Sequence, residues 1–116
     1  MSKLPIPLAL LLAAPALADS PTVEGAAAAR QADGWRFDVT VAHPDTGWDH
    51  YADAWRIETE DGTELGTRIL MHPHVTEQPF TRSLGGVTIP EGVERVVVRA
   101  RDNGQSWSEP YVVTLR

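Results

Sequence analysis

The chain has 116 residues, no cysteine and a formal net charge of −6, with 10 basic and 16 acidic side chains. A chain of this length forms about one small domain. The absence of cysteine excludes disulfide cross-links and thiolate metal ligands. The acidic balance argues against nucleic acid and anionic membranes as partners, because both are bound through clusters of lysine and arginine.

The first eighteen residues have the order of a secretory signal peptide. Lys3 supplies a positive start, residues 4–12 form an apolar stretch, and Ala16-Leu17-Ala18 is a small-x-small cleavage signal. The apolar stretch is too short and too rich in proline for a membrane span. We therefore predict a cleaved signal peptide over residues 1–18 and a periplasmic or secreted protein with no membrane insertion afterwards. Its single domain covers residues 19–116.

The first part of that domain is compatible with two structures. Residues 19–34 are rich in alanine, and both a short helix and an edge strand remain open for them. Residues 35–41 then alternate apolar and polar side chains, which is the period of a half-buried strand. The apolar side chains of this strand are predicted to face the core: Trp35, Phe37, Val39 and Val41.

Turn signals divide the rest of the chain into short strands. Pro44 and Gly47 indicate a loop over residues 43–50, while Asp61-Gly62 and Asn103-Gly104 are typical of hairpin turns. The predicted strands are residues 35–41, 51–60, 63–71, 80–84, 87–89, 94–101 and 111–115. About seven short strands at this spacing predict an all-β fold, namely an immunoglobulin-like antiparallel β-sandwich, with a small barrel as the alternative.

All four histidines lie in two segments of the chain. His43 and His50 flank the first loop, and His72 and His74 belong to an H-P-H motif. In extended chain, residues two apart project to the same face, so His72 and His74 would stand side by side. Imidazole is a ligand for copper, zinc, iron and nickel.

The sequence therefore predicts a transition-metal site at these histidines, because the first loop can fold back and bring its two imidazoles to one point. Acidic residues nearby could add an oxygen ligand or orient an imidazole. The predicted ligands are His72, His74, His43 and His50, with Asp45, Asp53 and Glu77 as the acidic candidates. A structural role is the other interpretation, since histidine also caps loop corners and stacks on aromatic rings such as those of Trp48 and Tyr51.

His43-Pro44, His50-Tyr51 and Trp55 form an H-P…H-Y…W pattern. Over about residues 35–65 this pattern resembles the desulfoferrodoxin and superoxide reductase family. The resemblance implies a small immunoglobulin-like domain that binds non-haem iron through four histidines and one cysteine, and it transfers only His43 and His50 as ligands. The chain has no cysteine for the axial position, and the late ligand segment of the family is represented only by Asp102-Asn103-Gly104. The two histidine segments also resemble small secreted bacterial proteins, which supports export.

The predicted function is that of an exported β-sandwich protein that binds copper or iron and acts as a carrier, an accessory protein or a small redox centre. Copper and iron are preferred to zinc because the ligands are rich in nitrogen and lack sulfur. The alternative is a metal-free module that binds another exported protein through a sheet edge or the loop around Trp48. A superoxide reductase-like enzyme is a third interpretation. No catalytic residues are assigned, since no nucleophile elbow or phosphate loop is present.

Overall fold

The computed structural model describes residues 20–115. The predicted signal peptide and its cleavage site lie outside the described residues. Within them the chain forms seven β-strands and no helix, so no helical segment there is suited to crossing a membrane.

Two antiparallel sheets pack against each other. One has the strand order β1-β2-β5 and the other has the order β4-β3-β6-β7. The strands are β1 Thr22–Gln31, β2 Gly34–Ala42, β3 Ala52–Glu58, β4 Glu64–Ile69, β5 Phe80–Val87, β6 Arg95–Asp102 and β7 Tyr111–Thr114. This arrangement confirms the all-β sandwich, while its immunoglobulin-like detail stays a prediction.

The core lies between the two sheets, and β2 and β6 contribute alternate residues to it. Trp55 of β3 is fully buried there. The inward residues of β2 and β6 are also buried, in agreement with the alternation in the sequence: Trp35, Phe37, Val39, Val41, Val96, Val98 and Ala100. Because side chains alternate between faces, burying one set leaves the other set on the outer surface.

The alanine-rich segment, for which a short helix and an edge strand were both open, forms strand β1. Alanine has the highest helix propensity, yet the segment is an edge strand that pairs with β2 from Thr22 to Gln31. The backbone hydrogen bonds to β2 and the burial of Val23 outweigh the local preference. Tertiary contacts, which local propensity does not contain, therefore set the conformation here.

The Gly85-Gly86 pair lies inside a strand, and the prediction that it separates two strands was wrong. Phe37 pairs with Leu84 whereas Trp35 pairs with Val87, so β5 contains one extra residue at this point. Gly86 has a positive φ of 65°, which glycine adopts without a steric penalty. The pair forms a β-bulge, and β5 continues through it to Val87.

The Asp61-Gly62 signal is confirmed as a hairpin between β3 and β4. Its turn is longer than the two residues predicted, since Glu58 pairs with Glu64 across it. Thr59 closes the turn by accepting a hydrogen bond from the backbone N–H of Gly62 at 3.0 Å.

Strand pairing gathers three connecting segments at one end of the sandwich. Val41 pairs with Phe80, and Ala52 pairs with Asp102, so the end of β2, the starts of β3 and β5 and the end of β6 lie together. The end of β4 joins them because Ile69 pairs with Ala54. We call this the loop end; it comprises the β2–β3 loop (residues 43–51), the β4–β5 loop (residues 70–79) and the turn after β6 (residues 103–106). All four histidines lie in it.

Candidate metal centre

Two histidines of the β2–β3 loop meet an aspartate at the end of β6. Nε2 of His50 lies 2.9 Å from Oδ2 of Asp102, and Nε2 of His43 lies 3.6 Å from the same oxygen. One donor atom from each of the three side chains lies within 4.8 Å of the other two. The three side chains therefore form a compact set of two nitrogen donors and one oxygen donor.

The turn after β6 orients the Asp102 carboxylate, which is only 1% exposed. Its Oδ1 accepts hydrogen bonds from the backbone N–H groups of Gly104 and Ser106, both at 2.9 Å, so Oδ2 is left for the two histidines. Burial alone would raise the pKa of Asp102, but hydrogen bonds from Ser106, His50 and Gly104 outweigh it and hold the pKa below the usual 3.8. Asp102 is therefore an anion at neutral pH.

Asp45 orients the ring of His43. Nδ1 of His43 lies 2.6 Å from Oδ1 of Asp45, and both side chains are fully buried. An ionised carboxylate only accepts hydrogen bonds, so the network places the proton on Nδ1. In the neutral ring the lone pair is then on Nε2, the atom that faces Asp102. A carboxylate behind an imidazole in this way is the usual arrangement of metal-binding histidines.

The charges of this cluster favour a cation. Asp45 and Asp102 are both buried against His43, and two buried carboxylates are costly without a compensating positive charge. The 3.6 Å separation of His43 Nε2 and Asp102 Oδ2 is too long for a hydrogen bond. Two atoms that bind the same ion through bonds of about 2.0–2.1 Å, at angles between tetrahedral and trigonal, lie roughly 3.3–3.6 Å apart. The observed separation is close to this range.

A local turn and a side-chain clamp hold His50 in position. The backbone N–H of Thr46 donates to the carbonyl of His50 at 3.0 Å, and Gly47 fits this turn with a φ of 141°. The side chain of Asn103 accepts from the N–H of Tyr51 at 3.1 Å and donates to the carbonyl of Asp49 at 3.2 Å. The β2–β3 loop is thereby fixed to the turn that carries Asp102. The His50 side chain is 28% exposed, so solvent reaches the cluster from this side.

The second histidine pair has different surroundings. The rings of His72 and His74 lie with their centroids 4.8 Å apart, as expected for side-by-side residues. However, His74 stacks on Phe80 at 3.9 Å, and its Nε2 lies 2.9 Å from Nη2 of Arg82. A guanidinium only donates, so Nε2 of His74 accepts this bond. A metal ion at this nitrogen would have to displace Arg82 and would be repelled by its charge.

The other acidic candidates lie in ion pairs, and Asp102 was not among the candidate ligands predicted from the sequence. Asp53 binds Arg101 through two contacts of 2.9 and 3.3 Å, and Glu77 lies 3.3 Å from Arg82. Asp102 lies 52 residues after His50, and only strand pairing brings the two together. The available signal was an aspartate at the end of a predicted strand, directly before the Asn103-Gly104 turn.

His74 should make the stability of the protein depend on pH. Burial, followed by the positive charges of Arg82 and His72, lowers the pKa of His74 below its usual 6.5. The folded state therefore resists protonation, so the stability is highest above about pH 6.5 and falls as the pH drops through the lowered pKa. Urea unfolding in chelator between about pH 5 and 8 should show a weaker fall for His74→Gln than for His72→Gln, whose ring is exposed. Equal slopes for the two variants would contradict this assignment.

Comparison with known proteins finds one partial relative. No family model matches the chain, and no solved structure matches it. A protein of Halomicrobium mukohataei with the provisional name of lipoprotein is 52% identical over 71 residues, which are 61% of this chain and 34% of the relative. The chain thus spans about a third of the length of the relative that it matches. The chain resembles this protein over part of its length, and no family membership follows.

Proposed function

We propose that this chain is an exported protein that binds one transition-metal ion through His43, His50 and Asp102 and serves as a metal carrier, an accessory protein or a small redox centre. The observation that carries the proposal is the convergence of three donors on one point, with Asp45 behind His43. Two histidines and one carboxylate with further positions open are typical of non-haem iron(II) sites. Iron is therefore the preferred ion, with copper as its main competitor.

Charge balance supports a divalent ion. Asp102 supplies one negative charge as a ligand, and Asp45 supplies a second through its hydrogen bond to His43. With both histidines neutral, a divalent ion makes the buried cluster neutral. Backbone donors hold Asp102 on its far side and Asp45 holds His43, so these two side chains are already oriented for binding. His50 would exchange its hydrogen bond to Asp102 for the ion and present a lone pair on Nε2.

Two observations support export. The chain begins with a signal peptide pattern, and the similar protein of Halomicrobium mukohataei is named as a lipoprotein. We therefore propose that the metal site functions in the periplasm or outside the cell. The desulfoferrodoxin resemblance contributes only His43 and His50 to this proposal, and a superoxide reductase-like reaction stays a prediction.

A titration with iron(II), copper(II) and zinc(II) tests the site. The untagged protein should bind one ion, and His50→Ala should abolish the binding, because the variant lacks one of the three donors. The His72→Ala/His74→Ala double variant should keep the binding. The reverse result, loss in the double variant and retention in His50→Ala, would instead support the ligands predicted from the H-P-H motif. Wild-type binding no tighter than about millimolar would overturn the proposal.

A metal-free interaction module is the second candidate. Trp48 and Met71 lie in two different loops of the loop end and are 66% and 73% exposed. Large exposed apolar side chains are typical of surfaces that contact another protein. A titration without binding of any ion would favour this function, with another exported protein as the partner.

A further inference from the structure

The β4–β5 loop is fastened to His43 by a closed ring of hydrogen bonds. Asp45 binds Nδ1 of His43 at 2.6 Å with one oxygen and accepts the backbone N–H of His74 at 2.8 Å with the other. The side chain of Gln78 accepts the backbone N–H of His43 at 2.9 Å and donates to the carbonyl of His74 at 2.9 Å. Two side chains therefore join a ligand of the candidate site to a loop that contributes no ligand to it.

The Asp45 carboxylate is the shared element of this ring. One oxygen accepts from His43 and from the backbone N–H of Ala52, and the other accepts from His74, so a rotation of the carboxylate changes these bonds together. The bond to His43 exists only while Nδ1 carries a proton. If the proton moved to Nε2, the lone pair on Nδ1 would face the Asp45 oxygen and repel it. The hold of Asp45 on the backbone of His74 would then weaken.

An ion bound to Nε2 of His43 excludes the tautomer in which Nε2 carries the proton. A metal-bound Nε2 cannot carry a proton, so His43 is fixed with its proton on Nδ1. The ion also withdraws electron density from the ring, which makes the N–H of Nδ1 a stronger donor to Asp45. Both effects tighten the carboxylate in the orientation that binds His74.

We infer that the β4–β5 loop is a metal-responsive element, held closed through Asp45 and Gln78 when an ion occupies the site and opening more often without it. The inference rests on the proposed function. The loop carries exposed side chains at Met71, His72 and Val75, so its opening would change the surface that the loop end offers. Because coupling between two sites is reciprocal, loop closure raises the metal affinity by the same factor by which the ion favours closure.

Amide hydrogen exchange of the untagged protein, with and without zinc(II) as a redox-inert ion, tests the coupling. Exchange in residues 70–79, above all at the amide of His74, should slow by about tenfold or more with the ion. The turn at residues 59–63, at the opposite end of the sandwich, is the internal control for general stabilisation by a bound ligand. Its exchange should slow less than that of the loop.

Gln78→Ala separates the coupling from the site itself, because Gln78 is not a ligand. The variant should still bind zinc. Its zinc affinity should fall by the same factor by which the zinc-dependent slowing of amide exchange in the loop decreases. Gln31→Ala, at the exposed far end of β1, should leave both measurements unchanged. If zinc binds and the loop exchanges at the same rate with and without it, the inference is wrong and the metal site stands. If zinc, iron(II) and copper(II) all fail to bind in the titration, the proposed function and this inference both fail.

Discussion

Replacement of Asp102 by asparagine is expected to weaken metal binding by at least about 100-fold, because the substitution removes the anionic ligand. Asparagine has nearly the same shape, and its carbonyl oxygen still accepts the backbone N–H groups of Gly104 and Ser106. Its amide group then points at His43 and His50 and donates to them instead of binding an ion. The titration described above measures the loss, and circular dichroism confirms that the variant is folded.

Asp49→Asn is the matched control for Asp102→Asn. Asp49 is an exposed aspartate of the β2–β3 loop and contacts Asn103 through its backbone carbonyl, so the substitution removes the same charge near the same loop. We expect no more than a small loss of affinity, since exposed charges are screened by solvent. Equal losses in the two variants would show that net charge, and not ligation by Asp102, governs the binding.

Replacement of Asp45 by alanine is expected to lower the free energy of unfolding by about 3–5 kcal/mol, even in chelator. The carboxylate satisfies three buried donors: Nδ1 of His43 and the backbone N–H groups of Ala52 and His74. Alanine leaves all three without this partner and also opens a small cavity. Such a loss is a large part of the roughly 5–15 kcal/mol that stabilises a typical domain. Urea unfolding followed by tryptophan fluorescence measures it.

Asp53→Ala shows what an ion pair nearer the surface contributes. Asp53 pairs with Arg101 at 2.9 Å, but both side chains are partly exposed, so we expect a loss of about 1 kcal/mol or less. If Asp45→Ala were no more destabilising than Asp53→Ala, the Asp45 carboxylate would not be the main support of the loop end.

The strands were largely predictable because each reflects a local pattern. Alternation in β2 identified its buried face, and turn residues marked most of the boundaries. The undecided segment and the wrong strand break lie where pairing with another strand decides the conformation. The alanines of β1 follow β2 in spite of their helix propensity, and the bulge at Gly85-Gly86 exists only relative to its partner strand. A single sequence holds no direct record of such partners.

The candidate site was predictable only in part, for the same reason. His43 and His50 flank one loop and could be paired by inspection. Asp102 joins them only because β6 runs beside β3 and ends where β3 begins. The expectation that His72 and His74 stand together is met, but the sequence did not show that Arg82 would bind a ring nitrogen of His74. Spacing identifies side chains that can meet and leaves open what else competes for their atoms.

The distance between the proposed ligands along the chain limits when a metal could be acquired. His50 and Asp102 are 52 residues apart, and Ala52 and Asp102 become neighbours only when β3 and β6 have paired. An unfolded chain offers scattered imidazoles and carboxylates with no common point, so selective loading must follow folding. Under the proposed export of an unfolded chain, the ion would then be chosen by the compartment in which the sandwich folds. Competition from metals inside the cell would have no part in that choice.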